Sequence, residues 1–181
     1  RILSAAETLM KQQGFSGFSY ADVAARVGIR KASIHHHFPT KTDLAVASLQ
    51  DYRAGLVAEL APPSVDVDAA LSRFEAIFVA ALEGPGGGCL CGTLASDWVA
   101  LPEPVQDEVQ GYWQDACGWL ARQFERHTPM SADTAATEAL VAFSMFEGAL
   151  MTAKVLGTST HLGTAFSAAR ERLQSLGDAS A

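Results

Sequence analysis

Apolar side chains recur every three or four residues along almost the whole chain, which is the period of an α-helix. In the first segment, Ile2, Leu9 and Met10 fall on one helical face, and Gly14 ends the pattern. No segment alternates polar and apolar residues around an Asn-Gly turn, as the strands of a β-hairpin do. The pattern therefore predicts an all-α protein of about nine helices.

Polar residues and glycines mark where the predicted helices begin and end. Ser19 is the predicted N-cap of the second helix, and Thr40 and Asp43 have the spacing of a capping box at the start of a long helix. The glycine-rich segment at residues 84–88 is predicted to be the most flexible loop. The predicted helices span residues 2–13, 20–27, 31–37, 41–60, 66–83, 90–100, 103–127, 132–156 and 162–176.

The charge is divided unevenly along the chain, which holds 13 basic and 20 acidic residues and has a net charge of −7. Residues 1–50 contain six basic and three acidic residues, a net charge of +3, so the remaining residues carry −10. A basic N-terminal segment followed by an acidic remainder indicates that the N-terminal segment binds an anion, while the acidic remainder favours solubility.

Neither a membrane span nor a secretion signal is predicted. The longest mostly apolar stretch, residues 139–151, contains Ser144 and Glu147 and is shorter than the roughly 18 residues of a spanning helix. Charged residues interrupt the N-terminal segment, unlike the apolar region of a signal peptide. Three cysteines, an odd number, are typical of a reducing compartment, so we expect a cytoplasmic protein. The chain begins at Arg1 without a methionine, so the sequence leaves open whether an N-terminal arm is missing.

Residues 20–37 have the spacing of a helix-turn-helix. Ala24 is small where the second helix must approach the first, and Gly28 follows four residues later, where a turn favours a positive φ. Ile29 and Ile34 are expected to anchor the second helix to the core. The donors left on that helix suit phosphate oxygens and base edges: Arg30, Lys31, Ser33, His35 and His36.

The wider segment around this motif resembles the N-terminal DNA-binding domain of TetR-family transcriptional regulators. That pattern runs from a glycine and an aromatic residue through a Ser or Thr cap, a Val-Ala pair and a Gly-x-x-Lys turn to a His-Phe pair and a Lys-x-x-Leu segment. It covers about the first 50 residues, at Gly14, Phe15, Ser19, Val23, Ala24, Gly28, Ile29, Lys31, Ser33, His37, Phe38, Lys41 and Leu44.

The resemblance implies a helix-turn-helix domain over residues 1–45 and a ligand-binding and dimerisation domain over residues 46–181. It implies a ligand- or redox-responsive repressor that binds a roughly palindromic double-stranded DNA operator as a homodimer and is released by a small-molecule effector. The implied DNA-binding residues are Ser19, Tyr20, Arg30, Lys31, Ala32, Ser33, His35, His36 and Lys41.

By family position, the last two long helices form a four-helix bundle with a second subunit. Apolar residues at three- and four-residue spacing on both helices agree with this arrangement. The predicted dimer interface comprises Phe143, Phe146, Leu162, Phe166 and Leu173.

Three positions depart from the family pattern. Arg30 stands where serine is usual, Ala32 where glycine is usual and His35 where tyrosine is usual. Histidine donates a hydrogen bond to phosphate as tyrosine does, so we expect DNA binding to be retained, with one contact sensitive to pH.

The run His35-His36-His37 does not predict a metal site. Consecutive helical residues point about 100° apart, so three rings in a row do not face one ion. We interpret the run as a DNA-facing surface with His37 packed inward, and we predict no metal and no cofactor. The chain has no Gly-x-Ser-x-Gly, phosphate-loop or His-Glu-x-x-His motif, so we predict that it is not an enzyme.

The sequence leaves two kinds of effector site open. Gly88-Cys89-Leu90 resembles a segment of TetR-like repressors that sense electrophiles or oxidants through a cysteine, and N–H groups at a helix start lower a thiol pKa. The alternative is that Cys89 is a small buried residue. Phe78, Trp98 and Trp113 are expected to reach an effector cavity. The alternative function is a thiol-reactive sensor or small-molecule binder without operator binding.

Overall fold

A computed structural model describes residues 1–178, which form nine α-helices and a short 3-10 turn and contain no strand. The all-α prediction is confirmed. The 3-10 turn, Trp98–Ala100, lies between the sixth and seventh helices. The helices are α1 (Ile2–Gly17), α2 (Tyr20–Val27), α3 (Lys31–His37), α4 (Lys41–Leu60), α5 (Val67–Glu83), α6 (Leu90–Ala95), α7 (Glu103–His127), α8 (Ala132–Leu156) and α9 (Thr160–Asp178).

The first helix is interrupted at the residue where the sequence predicted its end. Gly14 has φ 69° and ψ 178°, and a short helical piece follows it to Gly17. A Cβ at Gly14 would lie 2.7 Å from Oδ2 of Asp97, a side-chain end that can move aside, so it is the positive φ that favours glycine here. The predicted helix over residues 90–100 is broken as well, because α6 ends at Ala95 before the 3-10 turn.

Contacts group the chain into two compact units. The first unit comprises Arg1–Gly55 and Pro85–Trp113, and the second comprises Leu56–Gly84 and the chain from Gln114 onward. The predicted division at residue 45 concerns function, which packing does not test, so it stays a prediction.

The first unit holds the predicted helix-turn-helix on a buried core. α1 packs against α2 and α6, and α2 packs against α3. Each of these helices contributes apolar side chains that are fully or almost fully buried. Burial of such side chains contributes about 1.5–3 kcal/mol each and fixes the short helices α2 and α3 in place. Among them are Met10, Val23, Ile34 and Leu90, and Phe18 between α1 and α2 and Leu44 in α4 are buried as well.

The second unit has an aromatic core between α5, α8 and α9, which pack against one another. The rings of Phe146 and Phe166 stack with their centroids 3.7 Å apart. Phe78 meets both rings edge to face at 6.1 Å. Aromatic pairs of this kind contribute about 0.5–1.5 kcal/mol beyond the area that they bury.

The predicted dimer interface is wrong for the residues named, because their side chains lie inside this core. None of the five is more than 3% exposed in the single chain, so none is available to a second subunit. Their spacing reflects packing of α8 and α9 within the chain. The residues corrected are Phe143, Phe146, Leu162, Phe166 and Leu173, and the large apolar residues that α8 exposes are Leu140, Met151, Val155 and Leu156.

By length and composition, α8 is apolar enough to cross a membrane. The sequence prediction of no such helix rested on Ser144 and Glu147, which interrupt its longest apolar run. Of the qualifying segment, 39% is buried inside the structure. The core helix of a protein that never enters a membrane meets the same criteria, and packing against α5 and α9 accounts for the buried part of this segment.

Candidate nucleic-acid interface

A reciprocal capping box begins α2, as the sequence predicted for Ser19. Ser19 Oγ accepts a hydrogen bond from the N–H of Asp22 at 3.4 Å. Asp22 Oδ2 accepts from the Ser19 hydroxyl at 2.6 Å and from its N–H at 2.8 Å. These two bonds from Ser19 hold the pKa of the Asp22 carboxyl below its usual range. The Ser19 side chain is thus engaged in the cap, and its contact with DNA stays a prediction.

The turn between α2 and α3 depends on Gly28. This residue has φ 76° and ψ 37°, in the left-handed region, and its N–H donates to the Ala24 carbonyl at 2.9 Å. The N–H of Ile29 donates to the same carbonyl at 3.1 Å. The chain therefore leaves α2 within one residue and enters α3 at Lys31. A residue with a Cβ is strained in this conformation.

A single apolar side chain anchors α3 from within. Ile34 is fully buried, and its carbonyl accepts from the N–H of Phe38 at 2.8 Å. The prediction that Ile29 also anchors the helix is wrong, because its side chain is 36% exposed. It lies in the turn, before α3 begins at Lys31.

Tyr20 is buried and supports α3 from below. Its hydroxyl donates to the Phe38 carbonyl at 2.6 Å, and its ring meets the His35 ring edge to face, with centroids 4.3 Å apart. Burial raises the pKa of Tyr20, and the Asp43 carboxylate adds to the shift. The structure therefore does not present Tyr20 to DNA as predicted, because its polar atom is already bonded within the domain.

The outward surface of α3 carries the other predicted donors. His37 is exposed as well, so its expected inward packing is wrong. Arg26, in the last turn of α2, is an exposed cation that sequence reasoning missed, although its place on the polar face of α2 was a usable signal. We define the α3 surface as the exposed residues Arg26, Arg30, Lys31, Ala32, Ser33, His35, His36 and His37.

Lys41 is less available than the sequence suggested. Its Nζ donates to the Ser16 carbonyl at 3.3 Å and lies over two rings, 4.9 Å from the centroid of Phe15 and 4.6 Å from that of Phe18. Burial lowers the pKa of Lys41, and the carboxylate of Asp22 partly opposes that shift. Replacing Lys41 therefore changes packing as well as charge.

A cluster of thiols and phenols surrounds Cys89 in the first unit. Cys89 is 5% exposed and lies at the N-cap of α6. The rings of Tyr52 and Tyr112 stack on each other, with their centroids 5.4 Å apart. Burial disfavours ionisation of Cys89, but hydrogen bonds to its sulfur outweigh burial and lower the pKa of the thiol to about 6. These bonds come from Cys91, the Gly92 N–H, Tyr112 and Tyr52.

The environment of Cys89 differs from that of Cys117. Burial raises the pKa of the Cys117 thiol, and no hydrogen bond offsets it. A thiol with a pKa near 6 is mostly thiolate at neutral pH, which is the nucleophilic form. Of these two cysteines, Cys89 is therefore the one whose surroundings favour the thiolate.

The aromatic residues predicted to line an effector cavity occupy different settings. Phe78 is 2% exposed in the core of the second unit, where its ring stacks on that of Phe74 at 5.4 Å. Trp98 is 40% exposed in the 3-10 turn, and Trp113 is half-buried in α7. Phe78 is therefore part of the core of the second unit.

A cavity of about 430 Å³ lies in the second unit, between the end of α4, the loop that follows and α7. None of the predicted ligand-binding residues, Phe78, Cys89, Trp98 and Trp113, lines it. Its signal in the sequence was a pair of arginines at four-residue spacing beside a tryptophan. The residues that line the cavity include Leu60, Pro62, Trp119, Arg122, Gln123 and Arg126.

Residues 2–47 match the family model described as bacterial regulatory proteins, tetR family. Within the same part of the chain, 50 residues are 34% identical to the HTH-type transcriptional regulator CymR of Pseudomonas putida. That match covers 28% of this chain and 25% of the length of CymR.

Two solved structures resemble almost the whole chain. A TetR-family transcriptional regulator from Agrobacterium tumefaciens is 31% identical, with a TM-score of 0.84 over 97% of this chain and 95% of that one. A TetR transcriptional regulator from Legionella pneumophila is 28% identical, with a TM-score of 0.89 over 94% of both chains. The similarity thus extends from the helix-turn-helix through both units.

Proposed function

This chain belongs to the TetR family of transcriptional regulators, and we propose that it is a repressor that binds a roughly palindromic DNA operator as a homodimer and leaves it when a small molecule binds. In this proposal it acts in the cytoplasm and as a regulator, not as an enzyme. The observation that carries the proposal is the α3 surface, where donors stand exposed on a helix anchored by Ile34.

The chemistry of the α3 surface suits a DNA major groove. Arginine and lysine donate to phosphate oxygens and to guanine, and serine and histidine donate to phosphate or base edges. The α3 sequence contains no acidic residue that would repel phosphate. Two such helices in a dimer meet successive major grooves about 34–36 Å apart, which explains why we expect a roughly palindromic operator.

The dimer in this proposal uses the face of α8 that the chain leaves uncovered. We define the α8 stripe as Leu140, Ser144, Gly148, Met151 and Val155, which are all exposed and recur every three or four residues. The spacing places them along one side of the helix, opposite the aromatic core. Small and apolar residues in such a row let a second helix approach closely, which supports a subunit contact along α8.

A gel shift with the DNA upstream of the protein's own gene tests operator binding. The double variant Arg30→Ala/Lys31→Ala removes two donors that make no hydrogen bond with their side chains among residues 1–178, so folding is expected to be unaffected. We expect weaker binding to all sequences and a shallower dependence on salt concentration, by about one unit of slope per lost phosphate contact.

The matched control is Lys154→Ala, which removes an exposed cation from α8. It should leave both affinity and salt slope unchanged. Equal DNA affinity in the parent and a folded Arg30/Lys31 variant would contradict the assignment of α3 as the recognition helix. A reporter gene behind the same DNA tests repression, since expression of the parent should lower the signal and the double variant should not.

The lowered pKa of Cys89 supports a second candidate function, that of a thiol-reactive sensor. In this reading the Cys89 thiolate attacks the electrophilic carbon of an alkylating agent such as iodoacetamide, an S–C bond forms and iodide leaves. The added group fills a buried site and shifts the surrounding helices. Coupling of about 1–3 kcal/mol between the two sites is enough to change DNA affinity noticeably.

The variants Cys89→Ser and Cys117→Ser separate a thiol switch from a reversible ligand. If Cys89 is the switch, iodoacetamide releases the parent and Cys117→Ser from DNA but leaves Cys89→Ser bound. Release of Cys89→Ser at the parent's rate would eliminate the thiol candidate. A reversible effector would instead release all three proteins alike.

A further inference from the structure

We propose that the cavity of the second unit binds a small carboxylic acid with a flat apolar body and a hydrogen-bond donor. Its volume of about 430 Å³ lies within the range of sites that enclose small molecules. Its walls combine apolar side chains with two cations and a carboxamide. The consequence for DNA binding rests on the function proposed above, but the binding itself does not.

The cationic part of the cavity is formed by Arg122 and Arg126, one turn apart on α7. Both are exposed, and among residues 1–178 neither makes an ion pair or a hydrogen bond with its side chain. Like charges at four-residue spacing destabilise a helix, so an anion between them is favourable. Asp115 also lines the cavity, which leaves its charge net positive. Two planar guanidinium groups suit a carboxylate, which each of them can bind through two hydrogen bonds.

The apolar part is rigid before any ligand arrives. The indole N–H of Trp119 donates to the Leu60 carbonyl at 3.0 Å, which ties α7 to the end of α4. The Trp119 ring also stacks on Phe74 at 5.9 Å. The loop is held in turn, because Arg73 donates to the carbonyl of Pro62. Trp119, Leu60 and the prolines therefore offer a preformed apolar wall suited to a flat body.

Gln123 indicates that the ligand carries a donor. This residue lines the cavity and is only 7% exposed, and its Oε1 has no hydrogen-bond partner in the described part of the chain. A buried carboxamide oxygen without a donor is unfavourable, so a ligand hydroxyl that reaches Gln123 restores a lost hydrogen bond. Inorganic phosphate satisfies the arginines but leaves the apolar wall empty, which is why the geometry favours an organic acid.

Isothermal titration calorimetry of the full chain without DNA tests the proposal. The probes are p-hydroxybenzoate and p-hydroxyphenylacetate, which differ in length, with the neutral p-hydroxybenzamide, the donor-free benzoate and inorganic phosphate for comparison. We expect at least one p-hydroxy acid to bind more tightly than its comparison compounds. The Arg122→Ala/Arg126→Ala variant should weaken it by about tenfold or more, because hydrogen bonds to a charged group are lost.

Gln123→Leu should reduce the affinity for the p-hydroxy acid to that for benzoate and leave benzoate binding unchanged. Lys154→Ala is the matched control for charge and should bind like the parent. Three results would overturn the proposal: neither acid binds, the double arginine variant binds as tightly as the parent, or phosphate binds as tightly as the acids. Because no DNA is present, failure of DNA binding in the gel shift would leave this outcome unaffected.

Discussion

Single residues decide how the turn before α3 is made and which thiol has a lowered pKa. Gly28 supplies a backbone conformation that side-chain-bearing residues rarely adopt, with φ 76°. The Tyr20 hydroxyl donates to the Phe38 carbonyl, so this residue, predicted to contact DNA, instead supports α3. Cys89 has a lowered pKa because of the donors around it. In each case the hydrogen-bond partners of the residue, and not its type alone, set its role.

Replacing Gly28 with alanine should lower the free energy of unfolding by about 1–2 kcal/mol, because a Cβ in the left-handed region is strained. No neighbouring atom lies within 4 Å of that Cβ, so strain is the sole cause. Gly55, an exposed glycine inside α4 whose Cβ would also meet nothing within 4 Å, is the control. Gly55→Ala should raise stability by about 1 kcal/mol through helix propensity. Urea unfolding in which both variants change in the same direction would contradict this explanation.

Alkylation of Cys89 should follow the titration of its own thiol. The rate with iodoacetamide, followed by mass spectrometry, should be half-maximal at about pH 6 and level above neutral pH. Cys117, whose pKa is raised, should react only in alkaline solution. Tyr52→Phe removes one donor to the Cys89 sulfur and should move its midpoint upward. A midpoint for Cys89 that coincides with that of Cys117 would show that the surrounding donors do not stabilise the thiolate.

In the second unit, the apolar faces of α8 and α9 differ in whether the chain itself buries them. The stripe on α9 suggested a subunit contact, yet Leu162, Phe166 and Leu173 pack within the chain. α8 has both kinds of face, because Phe143 and Phe146 are buried while the α8 stripe is exposed. The apolar face of α9 is thus covered within the chain, whereas α8 has one apolar face covered and one exposed.

Phe166→Ala should lower the free energy of unfolding by about 3–5 kcal/mol, because it leaves a cavity beside Phe78 and Phe146. Val65, which is 85% exposed, provides the comparison, and Val65→Ala should change stability by less than about 0.5 kcal/mol. Chemical denaturation of both variants checks the assignment. A small effect of Phe166→Ala would mean that this ring is not a core residue of the single chain.

At the scale of the whole molecule, charge and apolar surface lie in different places. The first 50 residues hold six of the 13 basic residues and a net charge of +3, and the rest of the chain carries −10. The α3 surface is suited to a polyanion, and the α8 stripe to a second copy of the chain. In the proposed function, the two surfaces belong to one homodimer on DNA.

The variant Met151→Glu/Val155→Glu tests the subunit contact. If the α8 stripe is the interface, two carboxylates placed in it are desolvated without partners, and the dimer dissociates. Sedimentation should then give a folded monomer that binds DNA more weakly than the parent. Val65→Glu adds a carboxylate at an exposed valine outside α8 and should leave the parent's assembly unchanged. A stable dimer in the double variant would place the interface elsewhere.

Local patterns in the sequence determined much of the fold. The helical period, the cap at Ser19, the capping box at Thr40 and Asp43, and the turn at Gly28 all appear in the structure as predicted. These features depend on residues within a few positions of one another. Interactions over such distances are encoded in the order of residues itself, which is why the helix-turn-helix was recognisable from its spacing.

Tertiary structure alone decided what each apolar or polar face meets. Apolar residues that recur every three or four positions indicate that one side of a helix is apolar. They do not indicate whether α5 or a second subunit covers that side. Likewise, nothing near Cys89 in the sequence reveals that Tyr52 and Tyr112 reach its sulfur. The cavity at Trp119 forms only because α4 and α7 meet there. Burial and pKa depend on neighbours that are distant in sequence, so they follow from packing and not from local pattern.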